Sequence, residues 1–171
     1  LGAARYLAET RNFDGTAVVI FQPAEEGGGG GREMCAEGLM DRFGIDEVYG
    51  LHNMPGLPVG QFAIRAGAFF AATDQFRIVL TGKGGHAAKP HEAVDTTVMA
   101  AQLVTALQTV ASRNHDPVRN LVVSVTSFVT ASTAFNVIPQ TVELKGTVRT
   151  MDPETRAMAE VRIRALADGI A

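Results

Sequence analysis

The sequence has no tryptophan, a single cysteine and no block of basic residues. One cysteine, Cys35, excludes an internal disulfide framework and fits a reducing, cytoplasmic compartment. Its expected role is that of a small hydrophobe buried on a helix. With a formal net charge of −3 and no lysine or arginine cluster, binding to nucleic acid or to an acidic membrane has no electrostatic support. No apolar run reaches the roughly 18 residues that would span a bilayer, and no signal peptide opens the chain. No internal repeat is present, and the only low-complexity tract is a run of five glycines. What remains is 46% apolar and 19% charged residues over 171 positions, a globular composition sufficient for one domain or parts of two.

The first part reads as helix, strand, helix, strand. "LGAARYLAET" has Leu1, Ala4 and Leu7 on one face and no initiating residue or cap, so a helix is already under way. "PETRAMAEVRIRALADGIA" at the other end is a second such helix, and the chain reads as an internal fragment of a longer protein. "TAVVIFQ" (Thr16 to Gln22) and "EVYGLH" (Glu47 to His52) have the apolar character of parallel strands buried on both faces. Between them "REMCAEGLM" predicts a helix stopped at Gly38. Such an order implies an α/β layer with a parallel sheet. Glycines and prolines in "MPGLPVGQFAIRAGAFFA" place a boundary near residues 67 to 73.

Beyond it the pattern becomes α+β. Phe76, Ile78 and Leu80 alternate along one strand, and Val142, Leu144 and Val148 alternate with Glu143, Lys145 and Arg149 along another. "NLVVSVTSF" predicts a further strand. Met99, Leu103, Leu107 and Val110 recur at helical spacing in a long helix. Asp152, Pro153 and Glu154 open a helix as N-cap, first position and first turn. The resulting β-α-β-β-α order is a ferredoxin-like unit without its final strand.

Residues with chemical potential fall in four clusters. Glu25 and Glu26 follow the first predicted strand and His52 ends the second, where ligands of open α/β sheets bind. Carboxylate and imidazole donors suit Zn²⁺, with Mn²⁺ or Co²⁺ as alternatives, and one of two adjacent glutamates can handle a proton beside a neighbour that binds metal. In isolation the glutamate pair reads equally well as a solvated loop. A phosphate cradle is disfavoured, because Gly31 precedes Arg32-Glu33 rather than Lys-Ser/Thr. "GKGGHAAKPHEAVD" presents His86 in a glycine-rich turn, and "STAFNVIPQTVELKGTVRT" carries Asn136 and Arg149. An amide and a planar cationic fork suit polar groups and a carboxylate, although each alone also reads as an ordinary turn or strand residue. His115 reads as a loop histidine with no function.

In this order, "FQPAEEGGGG", "GLHNMP", "GKGGHAAKPHEAVD" and "FNVIPQTVELKGTVRT" resemble the dinuclear-zinc aminoacylase and carboxypeptidase superfamily, in its hippurate hydrolase and auxin-conjugate hydrolase branch. The resemblance covers nearly the whole chain. It implies that residues 1–70 are part of a catalytic α/β domain and 71–171 an inserted lid or dimerisation domain. It further implies Glu25 as general base and acid, Glu26 and His52 as metal ligands, His86 as a stabiliser of the reacting carbonyl across a dimer interface, and Asn136 and Arg149 as substrate-binding residues. The implied activity is metal-dependent cleavage of N-acyl amino acids, such as benzoyl amino acids, by a homodimer with two zinc ions, manganese or cobalt being possible substitutes. Dipeptide hydrolysis or another deacylation is the alternative. The family's remaining ligand motifs are absent from the chain, so the fragment itself is expected to hold little or no metal, to be inactive, and to serve at most as a dimerisation module.

Overall fold

Alternate apolar positions between Ala72 and Thr150 set the largest sheet of the computed structural model, which describes residues 1–171. In chain order the elements are α1 (Gly2–Thr10), α2 (Gly30–Ala36), α3 (Leu39–Phe43), β1 (Ala72–Thr81), β2 (Gly85–His86), a 3-10 turn (Pro90–Glu92), α4 (Thr96–Arg113), β3 (Leu121–Thr130), β4 (Val137–Ile138), β5 (Thr141–Thr150) and α5 (Pro153–Ile170). They divide between two units, Leu1–Gln61 and Phe62–Ala171.

In the second unit β1, β5 and β3 form an antiparallel sheet in that spatial order, and β2 pairs with β4 in a two-residue ribbon. First, third and second strand in a row is the order expected of the predicted β-α-β-β-α unit. Ile78 stands opposite Leu144 and Leu80 opposite Val142, so the alternating apolar residues share one face. Two helices cover that face: Leu103, Leu107 and Val110 of α4 and Ala159 and Ile163 of α5 pack with Leu80, Val123, Val142, Leu144 and Val148. Burying each leucine of this kind stabilises the fold by roughly 2 kcal/mol. The other face is mixed: β5 lines it with polar residues, Glu143 bridging Arg77 and Lys145, while Val79, Val122 and Val129 of the flanking strands stand exposed beside them. On β3 a bulge falls between Val125 and Ser127, leaving Thr126 unpaired in the ladder.

Helix ends follow local chemistry. Asp95 caps α4 by accepting from the N–H groups of Thr97 (2.9 Å) and Val98 (3.2 Å). The helix therefore starts at Thr96, and Pro90–Glu92 ahead of it form a separate 3-10 turn. Asp152 caps α5, accepting from the Thr155 N–H at 2.8 Å and from its hydroxyl at 2.8 Å.

Asp74 and Asp152 of this unit are pulled below their ordinary range, as is Glu143 by its bonds to Lys145 and then Arg77. A bidentate contact from Arg156 lowers Asp74 against an opposing effect of burial. The Thr155 backbone bond, then its hydroxyl, lowers Asp152. Both aspartates have folded values below the unfolded ones, so the stability they contribute is fully present above about pH 4 and is lost as pH falls below it. Thermal unfolding is accordingly expected to hold steady from neutral pH to about pH 5 and then to fall. Asp74→Asn should cost more stability at pH 7 than at pH 3; an equal cost at both would exclude this origin.

The first unit departs from expectation. Thr16–Gln22 and Glu47–His52 form no strand, because neither segment pairs with the other and no third strand lies beside them. An apolar run becomes a strand only where a ladder partner completes its hydrogen bonds. Phe21 is 70% exposed and Leu51 84%. The parallel sheet foreseen for this part is thus not formed within the chain. Cys35 is exposed on α2 rather than buried, since nothing in this unit covers that helix face. Gly38 does end the first helical segment, at φ 83°, and α3 starts directly after it.

Candidate functional site

Glu25 and Glu26 stand in a turn built by positive backbone angles. Ala24 (φ 50°), Gly27 (138°) and Gly29 (67°) all adopt them, and an alanine there carries a cost of about 1 kcal/mol or more. The Gly27 N–H donates to the Glu25 carbonyl (2.8 Å) and the Gly28 N–H to that of Ala24 (2.9 Å). At Gly30 a Cβ would lie 1.9 Å from the Pro23 carbonyl oxygen, so α2 starts pressed against Pro23. The glycines thus serve a tight reversal of the chain. Both glutamates project from it exposed and without an ion-pair partner. Neither sits at a strand end, because the preceding strand is not formed.

His52 lies in an irregular, exposed segment. Its Nδ1–H donates to the Asn53 carbonyl at 2.6 Å, which leaves the ring's lone pair on Nε2, the arrangement found when a backbone carbonyl orients a metal-binding imidazole. Nowhere in the chain do three His, Cys, Asp or Glu side chains converge to hold a metal ion. Glu26 and His52 have suitable donor atoms, but two donors fall short of the three or four protein ligands such a centre takes. The residues of this chain therefore do not by themselves fit a metal centre.

The second unit brings His86 and Asn136 together. His86 pairs with Val137 across the β2–β4 ribbon, and the Ala87 N–H donates to the Asn136 carbonyl at 2.9 Å. The Ala88 N–H donates to His86 Nδ1 at 3.1 Å. Nδ1 must then accept, so the neutral ring carries its proton on Nε2 and offers an N–H to whatever lies beyond it. Arg149 is not part of this group. It projects from the polar face of β5, opposite Thr73 on one side and Val122 on the other. From Thr141 to Arg149 the strand covers roughly 25 Å at about 3.3 Å per residue, so most of β5 separates Arg149 from the His86 end of the sheet. Its Nη1 is buried without a hydrogen-bond partner, a donor lacking an acceptor.

Sequence reasoning missed Gln140. Its amide joins the two segments that carry His86 and Asn136, and a lone glutamine after a proline has no pattern by which to be found.

The mixed α/β fold agrees with comparison to known proteins. Residues 1–167 match the model of peptidase family M20/M25/M40, and the chain belongs to that family. It is 43% identical over 169 residues to a hippurate hydrolase of Campylobacter jejuni, covering 99% of this chain and 44% of that protein. It is 42% identical over 172 residues to an N-acetylcysteine deacetylase of Bacillus subtilis, again covering 44% of that relative. A solved Bacillus subtilis structure, described as a dinuclear metal binding peptidase from the M20 family, superposes with a TM-score of 0.72 at 35% identity, over 99% of this chain and 41% of that one. The chain thus spans under half the length of the relatives it matches. The family resemblance carried by the four sequence motifs is borne out.

Proposed function

We propose that the whole protein carrying this chain is a metal-dependent amidohydrolase that cleaves the amide bond of N-acyl amino acids, benzoyl amino acids first among them. The observation that carries this reading is the fixed tautomer of His86. An exposed imidazole locked as an Nε2–H donor beside Asn136 suits the oxyanion that develops when water attacks an amide carbonyl. Glu25, exposed and unpaired on a hydrogen-bonded turn, takes the proton from the attacking water and delivers it to the departing nitrogen. Glu26 and His52 supply two of the donors to a divalent-ion centre, zinc in the first instance and manganese or cobalt otherwise. Asn136 holds polar groups of the substrate, and the unpartnered guanidinium of Arg149 its carboxylate.

Residues 1–70 belong in this reading to the catalytic domain and 71–171 to a lid that dimerises. The separation along β5 supports the dimer: a small N-acyl amino acid cannot reach Arg149 and the His86–Asn136 pair of one copy at once, whereas two copies can each contribute one end.

A second reading, deacetylation, is favoured by the near-equal identity to the relative named as an N-acetylcysteine deacetylase. Hydrolysis of benzoyl-glycine, N-acetyl amino acids and dipeptides by the whole protein with added divalent ions separates the two. The fastest turnover is expected on the benzoyl substrate. A preference for acetyl substrates selects the second reading, and no hydrolysis in any arm overturns both.

A further inference from the structure

We propose that Gln140 is a positioning residue for amide hydrolysis, its carboxamide clasping together the two segments that carry His86 and Asn136. This rests on the amidohydrolase reading and extends it to a residue that touches no substrate.

Gln140 Nε2–H donates to the Gly82 carbonyl at 2.6 Å, and Oε1 accepts from the Gly84 N–H at 2.9 Å. A backbone amide can only donate and a carbonyl can only accept, so both partners fix the same orientation of the side-chain amide. The main chain adds a third link, from the Gly82 N–H to the Gln140 carbonyl at 3.0 Å. His86 lies two residues beyond Gly84, and Asn136 four residues before Gln140. Between them the β2–β4 ribbon has only two residue pairs, Gly85 with Ile138 and His86 with Val137. So short a ladder does not hold its own register, and the glutamine supplies the missing links.

The surroundings make the clasp a fixed point. The fully buried Thr96 donates its hydroxyl to the Pro139 carbonyl at 2.8 Å, tying the neighbouring residue to the start of α4. A Cβ on Gly82 would stand 2.5 Å from the Val94 carbonyl oxygen, and one on Gly84 3.0 Å from that of Ile138. Backbones therefore approach closely on both sides of the amide. Loss of the clasp leaves the His86 turn to the two-pair ribbon and the main-chain bonds beside it, with no side chain fixing their register, and a displacement of about 1 Å at a catalytic group can cost 10²-fold in rate.

Only a primary amide of this length presents a donor and an acceptor together. Alanine removes both. Glutamate keeps the shape and the acceptor but at neutral pH sets a charge against the Gly82 carbonyl; once protonated, it regains the donor.

The test uses the whole protein, loaded with divalent ion, on its best substrate from the panel above, with Q140A and Q140E compared beside H86A and N136A. At pH 8 both Gln140 variants are expected to lose about tenfold in kcat, equivalent to one pK unit of barrier, with KM changed by less than about threefold and metal content unchanged. The rate of Q140E relative to wild type is expected to rise several-fold between pH 8 and pH 5.5. A kcat within twofold of wild type in both variants, while H86A and N136A lose activity, overturns the role of Gln140 alone. So does a loss in Q140E whose ratio to wild type stays flat with pH, which marks a merely structural residue. Full activity in H86A and N136A overturns the amidohydrolase reading and this proposal with it. Should Q140A fail to fold, the isosteric Q140E still decides.

Discussion

Glu25→Gln is expected to lower kcat by about 10³-fold in the whole protein while leaving metal content and unfolding temperature near those of wild type, within the 10²- to 10⁴-fold range of general acid–base catalysis. The substitution keeps the shape of the side chain and removes only its capacity to take a proton. The turn is indifferent to it, because the Gly27 N–H bonds the main-chain oxygen of residue 25 rather than its carboxylate. Exposed and unpaired, the side chain supports no packing, so a stability change beyond about 0.5 kcal/mol is not expected. Glu26→Gln supplies the contrast: its loss should follow metal content instead. Steady-state kinetics with metal analysis on both variants separates the roles, and wild-type turnover in Glu25→Gln assigns the proton transfer elsewhere.

The largest structural effect is expected at Gly146, where alanine should destabilise by about 3 kcal/mol, the upper part of the overpacking range. Gly146 sits in the central strand β5 between Phe76 and Val125 of its neighbours. A Cβ there would lie 2.1 Å from Cζ of Phe76 and 2.3 Å from the Ser124 carbonyl oxygen. The ring can swing away only by leaving the core against which it packs, and the carbonyl can move only with its strand. Phe76→Ala in the same chain relieves the first clash and not the second. The double variant should therefore recover part of the single variant's loss, measured by urea unfolding. A single variant as stable as wild type would show that the sheet yields where its packing says it cannot.

Legibility of the fold in the sequence followed the kind of signal each segment carries. In β1 and β5 polar and apolar residues alternate, which fixes both the strand and the face it buries, and in α4 the spacing of Leu103, Leu107 and Val110 does the same. Asp152 and Pro153 marked the start of α5 because capping is a local property. Thr16–Gln22 and Glu47–His52 carried no alternation. Their continuous apolarity reports an appetite for burial but names no partner, and ladder bonds need one. The same limit applied to Cys35, whose burial depends on what covers α2. Within the candidate site, the neighbourhood of His86 and Asn136 could not be read from motif order, since it depends on the pairing of a two-residue ribbon fifty residues apart in the chain. The distance of Arg149 from that pair is likewise a property of β5 as an extended rod. Gln140 was silent in the sequence because one amide in a turn has no periodicity.

The bulge at Thr126 gives β3 two phases. Before it the odd-numbered residues face the helices, as Val123 opposite Val148 and Val125 opposite Gly146; after it the even-numbered ones do, as Phe128 opposite Leu144. Inside and outside exchange parity within a single strand. The effect of losing one residue therefore depends on which residue goes. Without Thr126, Val125 and Ser127 become neighbours opposite Gly146 and Lys145 and every other side chain keeps its face, whereas loss of Val129 would turn Thr130 over or pull the strand out of step with β5. The neighbouring loop, Asn114 to Asn120, has no such bookkeeping and can lengthen or shorten without turning any side chain over.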